Sequence, residues 1–294
     1  MDNNLGYNET KKPILAPRLC AVTSSRFDTM GAGQSSKASK VTSPEAVALA
    51  KRIKDGEITG DLTLRMAKYG DVGVKAIAEE LKANSTITKV LLSQTRWVGD
   101  VGMTALADAL KTNTTVKELV VSEARRVGDD GATALAEALK VNRSLESVML
   151  CFTRIGDAGV AALASALQAN PSLKYLGLYH NRRMGDAAAR SLAEALKAKD
   201  SSLVRLYLGY TRIGNAGASA LADALGSNTK LVELGLRGTP VGDPGVKALE
   251  EALKAASSTT SLATVGLDWA KAGKTAKEEL QKALKSDGAV TQAV

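Results

Sequence analysis

Cys151 and His180 are a thiol and an imidazole, which within hydrogen-bond reach would make a nucleophile and its base. His180 is the only histidine of the 294 residues, so a centre built on several histidines is excluded. Cys20 and Cys151, the two cysteines, show no metal-ligand spacing. No third group to orient the imidazole and no oxyanion donor accompanies the pair, so no catalytic residue, metal or cofactor is assigned, and no enzyme activity is expected. "GAGQSSK" (31–37) lacks the glycine before the lysine, and the preceding strand, that a phosphate loop requires. "MGAGQS" (30–35) fits the N-myristoylation pattern Met-Gly-x-x-x-Ser, with Lys37 and Lys40 nearby. Acylation needs a terminal glycine, so Gly31 is a lipidation site only if translation starts at Met30.

The stretch "CFTRIGDAGV" (151–160) sets Arg154, Gly156 and Asp157 within four positions. These are residue types for site chemistry or for a scaffold. The stretch recurs. Glycines at the same place are Gly70, Gly99, Gly128, Gly156, Gly185, Gly214 and Gly242, at steps of 29, 29, 28, 29, 29 and 28. After each comes a run with helical apolar period, as at Leu106, Ala109 and Leu110 or Leu163, Ala166 and Leu167. Then comes a strand-like run: "ITKVLL" (87–92), "VKELVV" (116–121), "LESVML" (145–150), "LKYLGL" (173–178), "LVRLYL" (203–208), "LVELGL" (231–236) and "LATVGL" (262–267). One strand and one helix cannot bury their own apolar faces, but stacked copies cover one another.

The pattern L-x-x-L-x-L, followed by G-D-x-G-x-x-A-L-A-x-A-L, resembles the leucine-rich repeats of ribonuclease-inhibitor type over residues 43–285. It is also similar to the repeats of NOD-like receptors and of the Ran GTPase-activating protein. The resemblance implies an α/β fold: a right-handed curved solenoid of about eight repeats, with a parallel sheet on the concave face and helices outside. That family has an asparagine three residues after the last strand leucine. Here only Asn181 fits; the other repeats carry Thr95, Ala124, Thr153, Thr211, Thr239 and Ala270. A threonine hydroxyl replaces part of that bonding and an alanine none. The expected organisation is a disordered tail over 1–42, repeats over 43–270, and a capping helix with a short tail over 271–294. "SPEAVALAKRIKDGEITGDLTL" (43–64) is a degenerate first unit with Ser43 as N-cap and Pro44 in the first turn. "TAKEELQKALKSDG" (275–288) reads as an amphipathic end helix with no strand after it.

The aspartate column reads Asp71, Asp100, Asp129, Asp157, Asp186, Asn215 and Asp243, each just before a helix. Asparagine caps a helix as well as aspartate but carries no charge, so Asn215 marks the column as helix caps. Asn84, Asn113 and Asn142 open Asn-x-Ser/Thr triplets, which mean nothing for glycosylation without export.

In a solenoid, function resides in what differs between copies. Eight aromatic residues lie beyond the tail, and six occupy outward positions in or just after strands: Phe152, Tyr175, Tyr179, Tyr207, Tyr210 and Trp269. Phe152, His180 and Tyr210 form one column, flanked by Tyr175, Arg205 and Tyr207. Aromatics grouped with arginine are the material of binding hot spots; the alternative is that the rings pack on neighbouring strands. A second column, Arg96, Arg125, Arg154, Arg182 and Arg212, doubled by Arg126 and Arg183, follows the loops after the strands. It would grip carboxylates or phosphates, or else pair with the cap aspartates.

The expected function is non-enzymatic protein recognition on the concave face, in a monomeric, intracellular (cytoplasmic) protein without cofactor. The alternative is regulation of a small GTPase, as the Ran GTPase-activating protein resemblance implies, although the end "KSDGAVTQAV" has no acidic run. A net charge of +8 suits a partner with acidic groups; charge and arginines alone are thin support for a nucleic acid. Membrane association is expected only through acylated Gly31.

Overall fold

The computed structural model describes residues 43–65, 69–198, 201–256, 260–267, 273–284 and 289–291. These belong to one compact unit, Lys37–Val294. Residues 1–42 with Gly31, and Trp269 and Ala270, lie outside the described residues.

Strands and helices alternate along the chain. The order is α1 (Pro44–Lys54), β1 (Gly60–Arg65), α2 (Gly70–Ala83), β2 (Ile87–Ser93), α3 (Asp100–Leu110), β3 (Glu118–Ser122), α4 (Asp129–Val141), β4 (Ser147–Cys151) and α5 (Asp157–Leu167). It continues β5 (Tyr175–Gly177), α6 (Asp186–Lys197), β6 (Arg205–Tyr207), α7 (Asn215–Leu225), β7 (Glu233–Gly235), α8 (Asp243–Ala255), β8 (Thr264–Gly266), α9 (Lys274–Ala283) and β9 (Ala289–Thr291). The strands form one parallel sheet in sequence order. Each helix packs against the next.

The register follows from the leucines. Leu62, Val90, Leu119, Val148, Leu176, Leu206, Leu234 and Val265 pair in one row across the sheet, all buried. The helices turn Ile77 and Leu81, Leu106 and Leu110, Leu135 and Leu139 and their counterparts onto that row. Strands repeat at about 4.8 Å and helices need about 10 Å, so one-to-one stacking favours a bend with the strands inside.

Two expectations change. The end helix is Lys274–Ala283, and a strand does follow it: β9 pairs with β8 through Thr264↔Ala289. Three residues are too few to show a strand period. The aspartates do cap helices, but not their own. Each helix from α3 to α8 has a glycine N-cap with no cap bond from its own side chain. The acceptor comes from the repeat before. Gly99 N and Gly102 N donate to Asp71 Oδ1 at 2.7 and 2.9 Å. The same pair of bonds joins Asp100 to Gly128 and Gly131, Asp129 to Gly156 and Gly159, Asp157 to Gly185 and Ala188, and Asp186 to Gly214 and Gly217. Asn215 does the same for Gly242 and Gly245, and Asp243 accepts from Gly273. The second glycine makes room: a Cβ at Gly102 would lie 2.7 Å from Asp71 Oδ1.

A second tie lies at the opposite end of the helices. Asn113, Asn142, Asn170 and Asn228 are buried. Asn142 Nδ2 donates to Leu110 O and Asn113 O, while its Oδ1 accepts from Ser144 N and Leu145 N. Asn113 and Asn170 bond in the same way, and Asn228 Nδ2 reaches Leu196 O. Each asparagine thus accepts from the N–H groups that open its own strand segment and donates to a carbonyl at the helix end of the repeat before. In the sequence Asn113 and Asn142 read only as glycosylation triplets, and Asn170 and Asn228 carry no such signal.

At the strand-to-helix loops the same main-chain bond closes the turn with or without the family's asparagine. Val98 N donates to Thr95 O, Val127 N to Ala124 O and Met184 N to Asn181 O. Asn181 Nδ2 reaches Leu150 O and Leu178 O, and Thr211 Oγ1 donates to Leu208 O.

Asp157→Ala is expected to lower stability in urea unfolding by about 1–2 kcal/mol, and Asp157→Asn by less than about half of that. Asn142→Ala strands four main-chain groups and is expected to cost about 2–4 kcal/mol. Leu206→Ala, at the centre of the row, is expected to cost about 2–5 kcal/mol.

Candidate functional site

Beyond β4, β5 and β6 the ladder runs on: Phe152 N donates to Tyr179 O, His180 N to Gly209 O and Tyr210 N to Arg237 O. That bond comes with a left-handed backbone. Phe152, His180 and Tyr210 have φ of 53°, 58° and 56°, as do Gln94 and Glu123 at 57° in the repeats before. A bulky side chain in this region costs about 1–2 kcal/mol. The conformation carries the three rings face to face. Phe152 and His180 lie 3.9 Å apart at 12°, and His180 and Tyr210 lie 4.1 Å apart at 7°. Gly238, in the next repeat, has φ 70°, and a Cβ there would lie 2.5 Å from Tyr210 Cδ1. Tyr210 is 37% exposed, while Phe152 and His180 are half-buried. Burial, then the nearby Arg182, lowers the His180 pKa from 6.5 to about 4, so the imidazole is neutral at pH 7.

A second group sits on the strands. Tyr179 and Tyr207 stack at 5.4 Å. Each lies over a glycine one repeat on: a Cβ at Gly209 would come within 3.0 Å of Tyr179, and one at Gly235 within 3.0 Å of Tyr207. Tyr207 is only 4% exposed. Its hydroxyl donates to Glu233 Oε2 at 3.0 Å, and Arg205 Nε stands 3.3 Å from the same carboxylate. Burial first, then Glu233, raises the Tyr207 phenol above its usual range. Arg205 also lies 5.2 Å over the Tyr175 ring. Tyr207 is therefore packed and not an outward contact. A large residue leans into the hollow that the next strand's glycine leaves.

Cys151 is fully buried and the His180 ring is held between Phe152 and Tyr210. The thiol is thus closed to a substrate. Among the described residues no three His, Cys, Asp or Glu gather as a metal site, and no helix is long and apolar enough to cross a membrane.

Arg96, Arg125, Arg126, Arg154, Arg182, Arg183 and Arg212 are all exposed. None has a carboxylate within 4.0 Å among the described residues. Pairing with the cap aspartates is thereby corrected: those carboxylates are turned onto the next helix's backbone. Arg126 lies instead 5.6 Å over Trp97, a ring 40% exposed. The sequence reading passed over Trp97. Its signal was its place, directly after Arg96 in the arginine column.

Segments 112–136, 141–164, 199–222 and 227–249 match the family model described as Leucine Rich repeat. The chain carries leucine-rich repeats. Its 28–29-residue strand–helix unit is of ribonuclease-inhibitor-like type. Similar solved structures include leiomodin-1 actin-binding site 2, at 22% identity over 61% of this chain and 87% of that one, with TM-score 0.43. The yeast Rad7 and Elc1 complex matches at 16% over 75% and 60%, TM-score 0.46. The tropomodulin C-terminal domain of Caenorhabditis elegans matches at 14% over 63% and 93%, TM-score 0.41. No curated protein sequence matches this leucine-rich repeat chain.

The His180 ring carbons are expected to titrate near pH 4 by NMR, and a midpoint near 6.5 would contradict the stack. Since the unfolded chain takes up this proton first, the stability tied to neutral His180 is complete above pH 6.5 and declines as pH falls toward 4. Gly238→Ala must move Tyr210 and is expected to cost about 1–3 kcal/mol.

Proposed function

We propose that this leucine-rich repeat protein acts by binding another protein, with the row Phe152, His180 and Tyr210 as the centre of contact. The observation that carries the reading is the pairing of strain and stacking. Three successive repeats hold bulky residues in a backbone region that favours glycine, and their rings stack in one row. Packing alone would be served by glycine, as at Gly238. Rigid aromatic rings cost little entropy on binding, which is why such rows make strong anchors. Tyr175 and Tyr179, half-buried beside the row, widen the apolar contact. Tyr207, Arg205 and Glu233 are tied to one another by a hydrogen bond and an ion pair. In this reading the protein carries out no reaction of its own. Trp269 lies outside the described residues and takes no part in the argument.

The test is capture from cell lysate by the intact chain and by the His180→Ser, Tyr210→Ser variant, both shown folded by circular dichroism. The captured protein is then purified and its contacts are mapped by cross-linking. Loss of a purified partner from the variant by at least about 30-fold in affinity, with cross-links at residues 152–210, is the expected result. Equal affinity for both chains overturns the reading.

A further inference from the structure

We infer that the loop edge carrying the arginine column is a second docking surface, and that its occupant is an acidic segment of a partner protein seated against Trp97. The surface uses residues separate from the stacked row.

Charge on this molecule is handled in two ways. On the helices it is settled locally: Lys111 meets Asp108 at 2.8 Å, Lys140 meets Glu137 at 2.6 Å and Lys197 meets Glu194 at 2.9 Å. Along the loop edge it is not. Arg96, Arg125, Arg154, Arg182 and Arg212 recur at one position per repeat, exposed, with no carboxylate within 4.0 Å among the described residues. The cap aspartates Asp100, Asp129, Asp157 and Asp186, three or four residues after Arg96, Arg125, Arg154 and Arg182, have their Oδ1 atoms spent on backbone N–H groups. Arg212 is followed by the uncharged Asn215, and Glu123, two residues before Arg125, forms no ion pair within 4.0 Å among the described residues. Like charges in register repel, and the arrangement gains most from a ligand that brings the missing anions.

The backbone under these arginines is fixed. Arg154 N donates to Val127 O and Arg212 N to Met184 O, both at 2.8 Å, and Gly99 and Arg126 form a parallel bridge. The forked guanidinium heads thus rise from a set base, suited to bidentate carboxylate contact. Trp97 adds an apolar anchor at the N-terminal end of the column, and Val101, 66% exposed, opens the helix that follows.

The same guanidinium chemistry would meet phosphates, but the rings argue for a polypeptide. Binding of single-stranded nucleic acid rests on free aromatic faces for its bases. Here Phe152, His180 and Tyr210 stack on one another and Gly238 closes against Tyr210, which leaves Trp97, 40% exposed with Arg126 5.6 Å from its ring centre, as a single anchor rather than a row of stacking platforms. An acidic segment with an apolar residue matches both the open charges and the tryptophan.

The experiment measures fluorescence anisotropy with the full chain at about 50 mM salt, where surface charge is weakly screened. The probes are a labelled peptide of about twelve residues alternating glutamate and serine around a central phenylalanine, the same peptide with glutamine for glutamate, and an oligothymidylate of about twelve nucleotides. The glutamate peptide is expected to bind at least about 10-fold tighter than either control. Arg125→Glu, Arg154→Glu, Arg182→Glu together should weaken it at least about 30-fold, and Trp97→Ala about 10-fold. Lysine at the same three positions keeps the charge and the fold, and should lose only part of the affinity, which covers the case of a charge-reversed chain that does not fold. No binding of the glutamate peptide, binding indifferent to these substitutions, or tighter binding of the oligothymidylate would each overturn the inference.

Discussion

One carboxylate oxygen bridging two backbone N–H groups of the next helix is the contact on which this fold depends. A helix N-terminus carries orphan donors that something must accept. Here the acceptor stands at the first turn of the preceding helix, so from α3 onward each described helix is finished by its neighbour, while α1 is capped by its own Ser43. The asparagines at the other end repeat the logic for the last carbonyls. The two ties turn a row of strand–helix units, none able to bury its own leucines, into a stack coupled nearest neighbour to nearest neighbour. Asn215 holds Gly242 and Gly245 as an aspartate would, so the tie needs an acceptor rather than a charge.

That commitment shapes the surface. Because the aspartates face backbone, the arginines beside them in sequence are left open to solvent. Where the main-chain ladder continues past the strands from β2 to β6, a residue there is left-handed. Where that residue is aromatic, the rings meet. The candidate surfaces are thus by-products of the stacking geometry, given their character by the few positions the stacking leaves undetermined.

How much of this the sequence disclosed follows the same division. The step of 28–29 residues and the leucine row made the fold readable, because each copy repeats the same evidence. The aspartate column was readable as caps, but not whose helix each one caps: a strict period aligns an acceptor equally well with its own helix and with the next. The asparagine column was overlooked because it lies between elements, where no hydrophobic period draws notice. Tyr207 looked exposed by strand alternation; the glycine that shelters it, Gly235, sits 28 residues away and counts only once the register is known. Trp97 was missed because it falls in a loop and lies under Arg126, a pairing that composition does not display.

The most direct measurement is amide hydrogen exchange on the chain carrying Asp129→Ala. The central claim places the loss of protection in the following repeat, at Gly156 and Gly159, with the start of the residue's own helix, at Gly128 and Gly131, unchanged. Loss confined to Gly128 and Gly131 would mean that each aspartate caps its own helix, and the account of coupled repeats would fail.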